Sequence, residues 1–315
     1  MPIDILRIQH CNVNVSDLER SLHFYRDVVG LTPLFRTNPP PQDGSGFSLP
    51  GDIQWDAWGL HGASGPGGTA LDLLEWKLPK PTGMPYQEAN HLGFSRICFR
   101  APDLNAVQTR FLEAGATCLS PPGELPLDPE RKSSVRALFT RDPDGTLVEF
   151  IEQPGSEGVD WFHVNINCSD LSRSREWYER VLGLEARATT APGPVPGELF
   201  GFEADYRDEC EYEAAFLFPN SDQPAGMAIE LMEWKRPAPI GPPYAEANHL
   251  GIYRMALVVE DIHASYDSLR SDGVECPDPV LLDMGPEIPI EGVWAVFLKD
   301  PDGTCLELIQ FPTIG

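Results

Sequence analysis

Basic residues are scarce in this chain: 23 Lys and Arg stand against 48 Asp and Glu in 315 residues, a formal charge of −25. A field of that sign repels phosphate backbones and anionic lipid surfaces, which argues against nucleic acid as a partner. Long apolar runs are missing too. Nothing approaches the roughly 18 residues that a membrane-spanning helix needs, so a composition 42% hydrophobic and 23% charged reads as a soluble globular protein with no membrane partner. Paired cysteines are also lacking. Cys11, Cys98, Cys118, Cys168, Cys210, Cys276 and Cys305 are odd in number and contain no C-x-x-C pair, so no disulfide framework is expected. The opening MPIDILRIQHCNVNV has no basic segment leading into an apolar one, and with free thiols this points to a reducing cytoplasm. No G-x-G-x-x-G follows a strand, and neither Ser133-Ser134 nor any cysteine has a histidine at motif spacing, so nucleotide binding and nucleophilic hydrolysis lack support.

What is present is an internal duplication. SDLERSLHFYRDVVGL at 16–31 recurs as SDLSRSREWYERVLGL at 169–184, with nine of sixteen positions identical. LLEWKLPKPTGMPYQEANHLG at 73–93 returns at 231–251, and RDPDGTLVEFIEQ at 141–153 returns at 299–311. The first offset is 153 and the later ones are 158, so the second half carries extra residues between 185 and 228, where Pro and Gly mark loops. The halves, 1–153 and 160–315, are two copies of one fold joined by a short linker.

Each half divides again. HCNVNV at 10–15 alternates with period two, as a half-buried strand does. Ser16 with Glu19 forms a capping box for the helix that follows, and Gly30 suits its C-terminus. SRICFR at 95–100 is the next strand, Asp103 caps DLNAVQTRFLEAGA, and Gly115 closes it. The spacing of Leu104, Val107, Phe111 and Leu112 gives that helix one apolar face. LDLLEW at 71–76 and a hairpin turning at Asp144-Gly145 supply further strands. Four strand–helix–strands modules result, a two-layer α+β architecture.

The S-D-L-x-R-S…Y…V-x-G-L segment after a His-bearing strand, with D-P-D-G-T-x-x-E closing each half, resembles the vicinal oxygen chelate superfamily of glyoxalases, bleomycin-resistance proteins and extradiol dioxygenases. The resemblance spans nearly the whole chain as a tandem pair. It implies four βαβββ modules forming two glyoxalase-like domains, whose mixed sheets curl into cups that hold a divalent metal ion.

Alternation in WFHVNINC places His163, Asn165 and Asn167 on one face and Val164, Ile166 and Cys168 on the other. His10, Asn12 and Asn14 repeat the pattern. A face with one imidazole and two amides suits a wet cup, and Cys11 and Cys168, turned away, should be buried and inert. The family's carboxylate ligand positions fall on Asp72 and Glu149 in the first half and on Glu230 and Glu307 in the second. A carboxylate inside an apolar strand needs a cation or an ion-pair partner. Glu233 points the other way by parity. At the position of the fourth ligand this sequence has Arg96 and Arg254, which cannot coordinate; a guanidinium there can bind a substrate anion or pair with Glu230 or Asp72. His91 and His249, in the repeated EANHLG, suit loop anchoring better than ligation. The expected metal sets are His163, Glu230 and Glu307, the favoured one, and His10, Asp72 and Glu149, for Fe, Mn, Ni or Zn. In this superfamily a cup can also form from modules of different halves, so sets mixed between the halves stay open.

Three functions follow from the resemblance. One is a metal-dependent lyase or isomerase acting on adjacent oxygens of a small substrate, with Glu230 or Glu307 as proton shuttle, Arg254 beside them, and Asn165, Asn167, Arg96 and Arg254 binding substrate. Another is an extradiol-type dioxygenase, which needs His249 beside His163 and Glu307. The third is a metal-free drug-binding protein, its cup lined from Trp55, Trp58, Trp161, Phe200, Phe202 and Tyr206, with the acidic stretch 203–213 attracting a cationic ligand. Four modules permit either a monomer or a homodimer.

Overall fold

The computed structural model describes residues 2–128, 132–220 and 227–312. Period-two segments and Asp-capped helices build one unit four times. Module one comprises β1 (Arg7–Asn14), α1 (Leu18–His23), β2 (Thr32–Thr37), the short β3 (Gln42–Asp43), β4 (Asp52–His61) and β5 (Ala70–Leu78). Module two has β6 (Gly93–Ala101), α2 (Leu104–Glu113), β7 (Gly123–Asp128), β8 (Ser133–Arg141) and β9 (Leu147–Glu152). Module three has β10 (Asp160–Asn167), α3 (Leu171–Leu182), β11 (Glu185–Thr190), β12 (Glu211–Phe218) and β13 (Ala228–Arg236). Module four has β14 (Gly251–Val258), α4 (Ile262–Ser271), β15 (Val280–Leu282), β16 (Val293–Lys299) and β17 (Cys305–Gln310). No helix among the described residues is long and apolar enough to cross a membrane.

The expected α2 cap is present: the Asp103 carboxylate accepts from the Asn105 and Ala106 amides. At α1 the cap falls one residue later than expected. Asp17 accepts from the Arg20 amide, while Ser16 is drawn away by Asp144, which takes both its amide (2.9 Å) and its hydroxyl (2.5 Å). α1 runs on through a wider turn, Phe24–Val29, and ends at Gly30, whose φ of 102° suits a residue without Cβ. The DPDG turn of module two is thereby bolted to the first helix. Asp302 does the same for Ser169 and Arg173.

Each sheet draws on both halves. One runs β15-β16-β17-β14-β1-β5-β4-β2, joining modules four and one, with β3 paired to β4; the other runs β11-β12-β13-β10-β6-β9-β8-β7, joining modules three and two. The seams are antiparallel, β1 against β14 and β10 against β6. Within a module the first and last strands pair in parallel, setting Asn12 beside Asp72 and Asn165 beside Glu230. The convex faces of both sheets and the helices share one apolar core, with Val13, Leu73, Phe111, Phe150, Ile166 and Leu308 fully buried. Glu75 and Glu233, facing that side, accept from the first amides of α1 and α3. The two concave faces carry separate clusters, one around Phe47, Trp55 and Trp76, the other around Phe200, Tyr212 and Trp234.

Candidate active site

Because the seams join modules of different halves, the polar residues of each cup are mixed. The first cup brings together His10 and Asp72 from module one with Arg254 and Glu307 from module four. The second brings His163 and Glu230 from module three together with Arg96 and Glu149 from module two. The sets expected within each half are therefore not assembled. Glu307 stands with His10 and Asp72, and Glu149 with His163 and Glu230. The physical reason is strand pairing: β17 lies beside β14, and β14 hydrogen-bonds to β1, not to β10.

In both cups the arginine at the fourth position ion-pairs with the two carboxylates. Arg96 is 1% exposed; its Nε donates to Glu149 Oε2 and its Nη2 to Glu230 Oε2, each at 2.6 Å, while Nη1 points to the Met232 sulfur. His163 Nε2 lies 3.3 Å from Glu149 and 3.2 Å from Glu230. Burial alone would raise Glu149, but Arg96 and His163 outweigh it and hold the carboxyl down at about 2. Burial would lower His163, yet Cys98, Glu230 and Glu149 hold its pKa well above the ordinary imidazole value. Two cations thus balance two anions, and every Arg96 nitrogen has a partner.

The first cup is looser. Arg254 Nε donates to Glu307 Oε2 at 2.8 Å and Nη2 to Asp72 Oδ2 at 3.3 Å, but the buried Nη1 has no hydrogen-bond partner among the described residues. Burial raises Glu307, and Arg254 with His10 lowers it further than burial raises it. His10 Nε2 is 3.5 Å from Glu307 and 3.9 Å from Asp72, beyond good hydrogen-bond reach. These four residues face a cavity of about 420 Å³ walled by Phe47, Trp55, Leu282, Ile290, Val293 and other apolar side chains. The corresponding cluster of the second cup packs Phe200 edge-on to Trp234 and 5.6 Å from the Arg96 guanidinium.

The remaining candidates have other partners. Asn165 donates to Glu230 at 3.0 Å. Asn167 is fully buried and turns away from any wet surface: its amide donates to the Ala89 and His91 carbonyls and accepts from Trp234 Nε1. Asn14 treats Ala247, His249 and Trp76 identically. Two amides on the polar face of each first strand thus mean a clamped loop at one position and a carboxylate partner at the other. His91, Tyr86, Tyr244 and His249 stack in one column with ring separations of 3.8, 3.9 and 4.0 Å, a loop-anchoring arrangement. His249 is not gathered with His163 and Glu307, so that triad is not formed. Cys11 and Cys168 are buried on the helix side, where burial pushes the Cys11 thiol far up and the Cys168 thiol to about 12. Of the aromatics, Trp55 lines the first cavity. Trp161 and Trp58 belong to the helix-side core, and Phe200 and Phe202 pack on Trp234. Sequence reasoning missed Gln9. A register shift between Ile8 and His10 lets both Gln9 and His10 reach the cavity, and no sequence signal announces such a bulge.

The sequence profile of the glyoxalase/bleomycin resistance protein/dioxygenase superfamily matches residues 7–150 and 161–308. The chain belongs to that superfamily. Among relatives within it, a lactoylglutathione lyase of Arabidopsis thaliana is 22% identical over 300 residues, covering 95% of this chain and 90% of that protein. Glyoxalase I of Saccharomyces cerevisiae is 26% identical over 206 residues, and the match spans 59% of each protein. The crystal structure of glyoxalase I from Zea mays superposes with a TM-score of 0.65 at 20% identity, covering 96% of this chain and 92% of that one. A putative dioxygenase from Bacillus subtilis gives 0.61 at 15% identity, covering 98% and 86%. These structural likenesses establish the fold.

The divalent ion that the superfamily implies can be tested against the side chains present. An ion would bind carboxylate oxygens at about 2.0–2.2 Å. In the first cup one oxygen of each carboxylate, Glu307 Oε2 and Asp72 Oδ2, already accepts from Arg254, and a guanidinium and a divalent ion on the same carboxylates repel. In the second cup Cys98, Glu149 and His163 place ligand atoms within 4.8 Å of one another. There burial pushes the Cys98 thiol up to about 12 without an ion, and Glu149 is held by Arg96. Neither donor set fits a four-ligand ion while its arginine keeps this position.

Proposed function

We propose that this chain is a lyase- or isomerase-type enzyme acting on a small oxygen-bearing molecule in the first cup, with Arg254 supplying the positive charge that a metal supplies elsewhere in the superfamily. One observation carries the reading: the buried Arg254 Nη1, without a hydrogen-bond partner among the described residues, beside a cavity large enough for a small molecule. A substrate carbonyl oxygen accepting from Nη1 would have its developing negative charge stabilised by a preorganised guanidinium in an apolar enclosure. His10 Nε2, also without a partner, takes the proton from the neighbouring carbon. Glu307 and Asp72, 3.5 and 3.9 Å away, stabilise the imidazolium that forms. Return of that proton to the former carbonyl carbon, with the neighbouring hydroxyl proton passing to the oxygen held by Arg254, completes an isomerisation of an α-hydroxycarbonyl with no net gain or loss of atoms. The lyase names of the sequence relatives support chemistry of this type. The metal-dependent version, with Fe, Mn, Ni or Zn, finds its best-spaced donors in Cys98, Glu149 and His163 of the second cup.

The test is hydrogen–deuterium exchange at carbon, followed by NMR in D2O, over a panel of α-hydroxycarbonyl compounds from thiol adducts of 2-oxoaldehydes to aryl hydroxyketones. The expected result is exchange that survives chelation, falls about 100-fold in His10→Gln, and persists in His163→Gln. Loss on chelation with recovery on adding a metal would overturn the guanidinium reading in favour of the metal-dependent one. Equal loss in His163→Gln would place the chemistry in the second cup.

A further inference from the structure

We infer that the ligand of the first cup is an uncharged, mostly apolar molecule bearing one carbonyl oxygen next to a hydroxyl, as an aryl hydroxyketone does; this rests on the placement of the working site proposed above. The walls set the class. Phe47, Trp55, Leu282, Ile288, Ile290 and Val293 line the space above the polar floor, so most of the ligand surface meets apolar atoms, as in small-molecule sites generally. A peptide-like thiol adduct brings several carboxylates and an ammonium, more charge than Arg7 at this lining can meet.

The floor sets the polar end. Arg254 Nη1 can only donate, so the group facing it must accept. An anionic carboxylate would accept too, but the two guanidiniums at this cavity, Arg7 and Arg254, are already matched in charge by Asp72 and Glu307, so its charge would be uncompensated. A cation would face Arg254 and offer it nothing. An uncharged carbonyl oxygen satisfies the donor without repulsion. The amide end of Gln9 is a further unpartnered group beside Arg254 and His10: its Oε1 is buried without a hydrogen bond among the described residues, and Gln9 lines the same cavity. It answers a hydroxyl, which can donate or accept. One carbonyl and one hydroxyl therefore match Arg254 Nη1 and Gln9 Oε1, which leaves His10 Nε2 free for the carbon-bound proton.

Trp55 lines the cavity, so its fluorescence reports binding, with Trp55→Phe as the control for the other six tryptophans. The probes are benzoin, deoxybenzoin (the same ketone without the hydroxyl), decanoate and S-hexylglutathione. The expected result is saturable quenching by benzoin, about tenfold weaker binding of deoxybenzoin, and weaker binding still of decanoate and the glutathione conjugate. Gln9→Leu should erase the difference between benzoin and deoxybenzoin. Ile290→Trp, which fills the cavity from its partly exposed loop side, should abolish benzoin binding with the fold intact by circular dichroism. Tighter binding of decanoate or S-hexylglutathione than of benzoin would overturn the inference, as would benzoin binding unchanged by Ile290→Trp. The two proposals separate cleanly. Benzoin binding without deuterium exchange at its carbinol carbon refutes the enzyme reading and upholds the ligand class. Turnover of a glutathione adduct without benzoin binding does the reverse.

Discussion

Arg254 Nε lies 2.8 Å from Glu307 Oε2, on the carboxylate oxygen that a metal ion would claim. Removing that competitor while supplying a donor should therefore create a metal site. Arg254→His would set two imidazoles beside Asp72 and Glu307, a mixed nitrogen and oxygen set suited to Zn or Ni. Plasma mass spectrometry of protein purified without chelators should find little metal in the wild type and about one equivalent in the variant after loading. A full equivalent in the wild type, lost in His163→Ala and kept in His10→Ala, would instead assign an ion to the second cup.

Arg96 is the more deeply buried of the two guanidiniums and sits between two buried carboxylates. Arg96→Leu leaves Glu149 and Glu230 with His163 alone. Breaking a buried ion cluster in this way costs about 3–5 kcal/mol, read as a lower urea midpoint. Replacing Arg96, Glu149 and Glu230 together by leucine should recover most of that loss, because burial turns His163 neutral once its carboxylates are gone and no uncompensated charge remains. If the triple variant is as unstable as Arg96→Leu, the cluster is not what holds the second cup.

Much of this was legible in the sequence, for reasons that particular residues make plain. The repeated S-D-L and D-P-D-G segments define four modules because each encodes a local event: a helix start and a tight turn. Asp17 and Asp144 show the limit of that reading. Ser16 looks like a cap, but a turn 128 residues away takes its amide and hydroxyl, and no local pattern records so distant a bond. Module pairing was hidden for a similar reason. Both offsets of the duplication are satisfied whether β14 joins β1 or β10, so Glu307 and Glu149 could not be assigned to a cup. The ion pairing of Arg96 and Arg254 was foreseeable in kind, since a carboxylate buried in a strand demands a cation.

Asp142 and Asp300 carry a pH signature. Burial drives each carboxyl up to about 6, against the amides of Thr146 and Thr304 that favour the charged form. A carboxyl whose folded value lies above its unfolded value of about 4 binds its proton more tightly when folded. Its contribution to stability is therefore present below pH 4 and lost as the pH rises through about 6. In a lower range the depressed Glu149 works oppositely: its stabilisation is present above about 4.5 and lost only as the pH falls toward about 2. Asp142→Asn keeps the acceptor for the Thr146 amide and removes the titration. Urea melts from pH 4 to 7 should show a shallower fall in stability for this variant than for the wild type. Superimposable profiles would refute a raised Asp142.

Asn167 separates a structural role from a binding role. Its amide, itself fully buried, holds the Ala89 and His91 carbonyls at 2.6 and 2.8 Å and accepts from Trp234 Nε1 at 3.1 Å. Asn167→Ala strips partners from two carbonyls and one indole at once, and unmet buried groups cost about 1–3 kcal/mol each before relaxation. The loop bearing His91 should loosen, so faster amide exchange is expected at Leu92, whose N–H bonds the Ile240 carbonyl, together with a lower urea midpoint. Benzoin quenching of Trp55 in the first cup should stay unchanged below the unfolding transition, because Asn167 belongs to the other sheet. Asn14→Ala makes the paired case. It loses the same contacts to Ala247, His249 and Trp76 but sits on β1, the strand that carries His10, so it should disturb both stability and benzoin binding. Equal effects of the two variants on quenching would mean that the cups are coupled through the His91–Tyr86–Tyr244–His249 column and do not act separately.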